Sequence, residues 1–219
     1  MIKIIEERHS VRSYSNKEIE GEILKQLQQE ITNCNKESGL SIQLYLNEPA
    51  AFSNFLAKYG KFENVKNYIV LAGPKTNDLD EKCGYYGEKI VLKAQELGLN
   101  TCWVASTYSK KKTKVSLNAN EKMRIVIAIG YGTTSGNPHK NKPLEELADI
   151  NDNSPEWFIN GVKAAQLAPT AINQQKFYFT LDNNKVNVKS GFGPRSKVDI
   201  GIVKYHFELG ANNNDWHWK

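Results

Sequence analysis

Cysteine is almost missing from this chain, with three in 219 residues: Cys34, Cys83 and Cys102. Their number is odd, their spacing is wide and none forms a C-x-x-C pair, so neither a disulfide framework nor a zinc site is expected. A chain of this length buries roughly 70% of its unfolded surface and needs no such staple. Long apolar runs are missing too: nothing approaches the roughly 18 consecutive apolar residues of a membrane span. The first residues, M-I-K-I-I-E-E-R, carry acids where an export signal is apolar. The expectation is a soluble, cytoplasmic protein with no membrane partner. No G-x-G-x-x-G follows a strand, which argues against a dedicated dinucleotide-binding domain. No catalytic triad or carboxylate pair stands out, so acid–base or nucleophilic chemistry by the protein itself has no candidate.

Arginine is scarce as well. Lys and Arg together number 29, yet the arginines are only Arg8, Arg12, Arg124 and Arg195. A chain that otherwise uses lysine for surface charge has placed two of its arginines within five residues. The guanidinium fork holds a phosphate in a fixed geometry that an ammonium cannot copy. The net charge of +5 is mild for a nucleic-acid binder. The K-K-K-T-K run at 110–114 has no neighbouring aromatics and reads as a solvated loop, so no nucleic-acid partner is expected. With 40% hydrophobic and 24% charged residues, the composition excludes a wholly disordered chain.

Periodicity supplies the elements. Residues 2–8 read as a short helix leading into a polar turn at 9–14. S-N-K-E at 15–18 has the form of a capping box for a helix carrying Ile19, Ile23, Leu24, Leu27 and Ile31. Strands are expected at 41–46, 68–72, 101–105 and 123–129, the last nearly all apolar and so central. A helix over 84–97 is closed by Gly98. A glycine, proline and lysine loop at 130–142 leads into a short helix at 143–148. After a polar linker, Ser154 and Pro155 open another helix. Strands at 176–181 and 186–189 flank an Asn-Asn turn, and a helix over 198–209 is closed by Gly210. Two tail tryptophans are expected to dock on the body. Shifted by 112 positions, residues 89–98 match 201–210 at five of ten places, which with a second helix–loop–strand echo suggests internal duplication.

R-H-S-V-R-S-Y at 8–14 resembles the N-terminal signature of the flavin-dependent nitroreductase family. A-P-T-A-I-N-Q-Q at 168–175 resembles the family's second signature, an A-P-S-x-x-N-x-Q turn. Residues 89–103 are similar to its central helix and following strand, and 127–147 to its last core strand and basic loop. One departure is informative. In the ordinary family the A-P-S turn follows the first long helix. Here residues 33–40 lack it, and it comes some 135 residues later. Ordinary members are two-fold dimers with flavin at the interface, fed by the first signature of one subunit and the second signature of the other. The chain therefore resembles such a dimer made continuous, a branch with two fused half-domains: 1–150 with the phosphate grip, 151–219 with the turn, and one composite site between them. A monomeric pseudo-dimer is expected, with a homodimer left open.

The resemblance implies an α+β nitroreductase-like fold, a mostly antiparallel central sheet flanked by helices. It implies FMN as cofactor, with NAD(P)H as transient reductant and hydride passing through flavin N5 to a small nitroaromatic, quinone or similar acceptor. Arg8, His9, Ser10 and Arg12 would hold the phosphate, with Lys140 or Lys142 completing that pocket and Lys142 favoured by motif position. Thr170, Ala171 and Asn173 would meet the ring or ribityl chain, and Gln175 would support the turn. The contact to N5 falls to Ser106 or Thr107. No protein group need act as acid, base or nucleophile, because the chemistry is the cofactor's. Trp103 is read as core. A flavin-binding, flavin-modifying or dehalogenating relative is the alternative, and a basic polyanion-binding module a remote one.

Overall fold

The computed structural model describes residues 2–212 and 215–219. Six helices and seven strands follow in order: α1 (Ile2–Glu7), α2 (Gly21–Ser38), β1 (Gln43–Tyr45), α3 (Phe55–Tyr59), β2 (Tyr68–Pro74), α4 (Leu79–Glu96), β3 (Asn100–Val104), β4 (Glu121–Gly130), α5 (Glu156–Gln166), β5 (Phe177–Asp182), β6 (Lys185–Ser190), α6 (Ser196–Ala211) and β7 (His217–Trp218). This is the expected α+β architecture.

The main sheet has the order β1-β2-β4-β3, antiparallel throughout. β2 and β4 occupy its interior, which explains why both are continuous apolar runs: each of their faces is covered. Side chains alternate across the sheet with period two. Ile69, Leu71, Ile125, Ile127 and Ile129 enter the large core shared with the long helices. Tyr68, Val70, Ala72, Val126 and Ala128 enter a second core with Val11, Phe52, Phe62 and Tyr108. Among the described residues no helix is long and apolar enough to cross a membrane.

The later residues build a smaller sheet, β5-β6-β7, in which β7 runs parallel to β6. The tail docks as expected. Trp216 stacks on Trp157 with centroids 6.0 Å apart and planes at 7°. The Trp218 indole N–H donates to the Glu208 carboxylate at 2.8 Å.

Several boundaries differ from expectation. The S-N-K-E segment does not cap α2, which begins at Gly21 behind Glu20 with no side-chain cap. Ser15 Oγ instead accepts from Lys17 N at 3.3 Å, a local turn of the kind that competes with helix capping. Ser154 likewise accepts from Asn151 N rather than capping α5, whose N-cap is Pro155. Residues 143–148 hold only a single 3-10 turn, Leu144–Glu146. α6 does not stop at Gly210. It continues to Ala211, and Asn212 takes the left-handed capping position with φ of 38°. Gly210 serves packing instead, since a Cβ there would press on the Asn160 carbonyl of α5.

α4 and α6 cross in close contact, and two glycines permit it. A Cβ on Gly84 would collide with the Val198 carbonyl oxygen, and one on Gly201 with the Glu81 carbonyl oxygen. The two contacts are reciprocal: each helix presents a glycine to a carbonyl of the other. Gly84 and Gly201 stand 117 positions apart, as do the first residues of the two helices, Leu79 and Ser196. The facing register is therefore 117 and not the 112 of the sequence echo. That echo paired Gly98 with Gly210, but the first lies outside its helix at φ +77° and the second inside.

Candidate functional site

A cleft of about 670 Å³ opens where the start of the chain meets its last third. One wall comes from residues 8–12, which follow α1 and run beside β3: Ser10 bridges Thr101, and Val11 N donates to Thr101 O at 3.0 Å. The segment after β3 adds Ala105, Ser106 and Thr107. Gly60 and Phe62 close that side beyond α3. The opposite wall is the turn Pro169 to Asn173 together with Pro194, Arg195, Val198, Asp199 and Ile202 of α6 and its approach. The α4–α6 crossing sets how deep that wall sits, because Val198 is the residue against which Gly84 packs.

The turn is stitched by its own side chains. Thr170 Oγ1 accepts from Gln175 N at 3.0 Å. Asp199 accepts from Ala171 N at 3.0 and 3.2 Å and from Gln174 Nε2 at 2.7 Å. Asn173 Nδ2 and Gln175 Nε2 both donate to Lys140 O, at 2.9 and 2.8 Å. Lys142 N donates to Gln175 Oε1 at 3.0 Å, and Gln166 Nε2 donates to Lys142 O at 2.7 Å. The basic loop is thus bound to the turn through backbone groups.

The cleft gathers most of the sequence candidates and leaves three outside its lining. Arg8, His9, Ser10, Arg12, Ser106, Thr107, Thr170, Ala171 and Asn173 all line the cleft. Gln175 does not: it is buried at 2% exposure and spends both ends of its amide on residues 140, 142 and 173. Lys140 and Lys142 are also outside the lining. Their loop offers Thr134, Gly136, Asn137 and His139 there instead. Trp103, read as core, also lines the cleft while its indole N–H donates to Glu88 Oε2 at 2.8 Å.

Arg8 is the chemical centre of the first wall. It is 3% exposed, and its Nε is buried without a hydrogen-bond partner. Burial pulls its pKa down and Glu88 pushes it back up. Glu88 Oε1 lies 3.8 Å from that Nε and accepts from His206 Nε2 at 2.9 Å. His206 Nδ1 faces Ala164 O at 3.1 Å. Both imidazole nitrogens therefore lie against oxygen atoms, Nε2 on the Glu88 carboxylate and Nδ1 on a main-chain carbonyl. Glu88 also accepts from the Trp103 indole, so the Arg8 charge has no carboxylate to itself. An orphaned guanidinium N–H in an electropositive pocket fits a bound anion, and a phosphate dianion fits Arg8, Ser10 and Arg12 together. Arg12 is exposed and lies 6.0 Å over the Phe62 ring. Among the described residues no three His, Cys, Asp or Glu side chains group to hold a metal, and the three cysteines are buried and free.

Asp199, absent from the sequence candidates, is the titratable group of the opposite wall. Burial pushes its pKa up to about 6, against the pull of its Gln174 and Ala171 hydrogen bonds. A carboxyl raised in the folded state binds more protons than the unfolded chain, so its contribution to stability is greatest below about pH 3.8 and is lost as pH rises through about 6. The span corresponds to at most about 3 kcal/mol. Asp199→Asn should flatten that window: the fall in Tm of the parent between pH 4 and 7, relative to the variant, is the quantity to measure. Parallel Tm profiles would show that Asp199 does not carry the effect.

Glu88, His206, Asp199, Arg195 and Ile172 were missed in the sequence. Glu88 left a faint trace, a carboxylate on the helical face of Gly84 and Val91. Arg195 left a clearer one, as one of four arginines.

The fold agrees with known structures. A "putative nitroreductase" from Thermotoga maritima matches with a TM-score of 0.68 and 24% identity, over 95% of this chain and 82% of that one. A nitroreductase-like protein from Streptococcus mutans matches at 0.57 and 12% identity, over 69% of this chain and 97% of that one. A nitroreductase family protein from Streptococcus pneumoniae matches at 0.55 and 11%, over 68% and 99%. No curated protein matches in sequence. The family described as "Putative TM nitroreductase" matches residues 1–211. With a match of that extent, on a cleft that joins both signature segments, the chain belongs to this nitroreductase family.

Proposed function

We propose that the cleft binds FMN and that the protein is an NAD(P)H-driven oxidoreductase acting on nitroaromatic, quinone or similar electron-poor acceptors in the cytoplasm. The observation that carries this reading is the meeting, in one cleft, of Arg8, Ser10 and Arg12 with Thr170, Ala171 and Asn173 from the far end of the chain. Arg8, Ser10 and Arg12 would hold the phosphate. Thr170 and Asn173 would face the ring edge, with Asn173 oriented by its bond to Lys140 O. Ser106 and Thr107 offer a hydroxyl and backbone N–H groups to the reacting side of the ring. When bound, flavin supplies the hydride chemistry, and the protein supplies binding, orientation and field.

The same geometry supports a composite site within one chain, made by residues 1–150 and 151–219 acting as the two halves of a dimer. The two streptococcal neighbours are covered almost whole by about two thirds of this chain. The remaining third leaves room for the second half. A monomer would then suffice for one site.

The test is direct. The pure protein should be yellow, or take up added FMN, and the flavin should bleach on anaerobic addition of NADH or NADPH. Arg8→Ala or Arg12→Ala should weaken uptake by about 1.5–3 kcal/mol per lost charged hydrogen bond, read by fluorescence titration. Asn173→Ala should shift the visible spectrum. Unchanged affinity in both arginine variants would remove the phosphate assignment, and flavin that never bleaches would remove the reductase.

A further inference from the structure

Three of the four arginines line the cleft, and only two have a task in the reading above. Arg124, the fourth, lies elsewhere in a two-pronged ion pair with Asp80. Arg195 has no acidic partner among the described residues. It is half-buried on the α6 side of the cleft, and its backbone holds a left-handed φ of 57°. Its charge lies close enough to Tyr108 to oppose the upward push that burial gives that hydroxyl. Tyr108 directly follows Ser106 and Thr107 of the facing wall, and Arg195 lines the same cleft.

A second observation concerns the same wall. Ile172 is 86% exposed, lines the cleft, and has φ of 49°. A β-branched residue in that region is strained, and such strain collects at functional positions. Its exposure also forfeits the burial that an isoleucine ordinarily gains. The two residues are tied together. Asp199 N donates to Arg195 O at 3.0 Å, and the Asp199 carboxylate accepts from Ala171 N, next to Ile172. The Asp199 oxygens are taken by these donors and by Gln174, which leaves the Arg195 charge free of them.

We propose that Ile172 and Arg195 form the acceptor subsite, and that it selects an electron-poor aromatic carrying a carboxylate, the ring lying on Ile172 and the carboxylate on the Arg195 guanidinium. This rests on the reductase reading and adds the substrate class. An exposed apolar side chain and a guanidinium without an acidic partner on one wall of the cleft match a flat apolar body with an anionic end. For a nitro acceptor, the first two-electron step consumes one NAD(P)H and one proton and gives the nitroso compound, NAD(P)+ and water.

The experiment compares 4-nitrobenzoate with its neutral isostere 4-nitrobenzamide, together with calorimetric binding of benzoate and benzamide to the FMN-loaded protein. Wild type should favour the carboxylate by about tenfold in KM and in Kd, the worth of one charged hydrogen bond. Arg195→Gln should erase that preference in both measurements, and Arg195→Lys should restore part of it. The KM for NADH, measured in the same variants, separates the acceptor's carboxylate from the reductant's phosphates. A preference that survives Arg195→Gln, or a variant that shifts only the KM for NADH, overturns the inference. Yellow protein that reduces both acceptors equally defeats this subsite alone, whereas protein that takes up no FMN defeats the function and the subsite with it.

Discussion

Gly201→Ala should cost about 3 kcal/mol or more, at the upper end of what overpacking does. For a chain of this size that lowers Tm by roughly 10 °C. The new methyl would meet the Glu81 carbonyl oxygen and the Tyr85 backbone nitrogen of α4, and backbone cannot swing aside as a side-chain tip can. Gly84→Ala should act alike from the other helix, through the Val198 carbonyl. If either variant folds, α6 must stand away from α4 and carry Val198, Asp199 and Ile202 with it, so FMN uptake should fall along with stability. Gly98→Ala is the control. It has open space around it and a φ of +77°, so it should cost only about 1 kcal/mol of backbone strain and leave uptake alone. Thermal melts and flavin titrations of the three variants check this. Equal, small losses at all three positions would mean that the helices slide apart freely and that the crossing does not set the cleft.

What the sequence disclosed follows from which interactions are local. The apolar runs of β2 and β4 and the stripe of α4 were legible because burial imposes a period on neighbouring residues. The two signatures were legible because each sits within eight residues, and their meeting at one cleft required only family architecture. Helix starts were misread where polar side chains had two options: Ser15 and Ser154 each bond a nearby turn N–H rather than a helix N-terminus. Lys142 lies outside the cleft lining for a long-range reason. Position in the basic loop pointed to the phosphate, whereas in the fold Gln175 and Gln166, later in the chain, bond the Lys142 backbone, and the loop residues that line the cleft are Thr134, Gly136, Asn137 and His139. The 112-residue echo aligns α4 and α6 by their composition and by the glycine near each end, which is not the register in which they pack. The register that brings them together is written in Gly84 and Gly201, whose role depends on a partner more than a hundred residues away. Asp199 and Glu88 were invisible for the same reason, since a carboxylate's partners appear only after folding.

Glu88→Gln should be the most damaging single change behind the first wall. Glu88 is fully buried and serves three groups: Trp103 Nε1 at 2.8 Å, His206 Nε2 at 2.9 Å and Arg8 Nε at 3.8 Å. All three present N–H groups, so both carboxyl oxygens must accept. An amide has only one oxygen, and its NH2 would be set against either the indole or the imidazole N–H. The variant also leaves the buried Arg8 charge without the anion beside it. Removing one member of a buried charge cluster costs about 3–5 kcal/mol. Urea unfolding at neutral pH should show that loss of free energy as a midpoint lowered by the same amount divided by an unchanged m-value. Adding His206→Gln to Glu88→Gln removes the imidazole that the new amide would otherwise face. The double variant should therefore lose less than the two single losses summed, with a coupling of about 1–3 kcal/mol. Additive losses would show that the Glu88–His206 bond contributes nothing to stability. FMN uptake distinguishes the site from the scaffold. Arg8 without Glu88 is a freer cation but a misplaced one, and Trp103 loses its anchor, so the Glu88→Gln protein that remains folded at low temperature should bind flavin more weakly and with an altered visible spectrum. Parental affinity and spectrum in that protein would confine Glu88 to stability and leave Arg8 positioned by α1 and β3 alone.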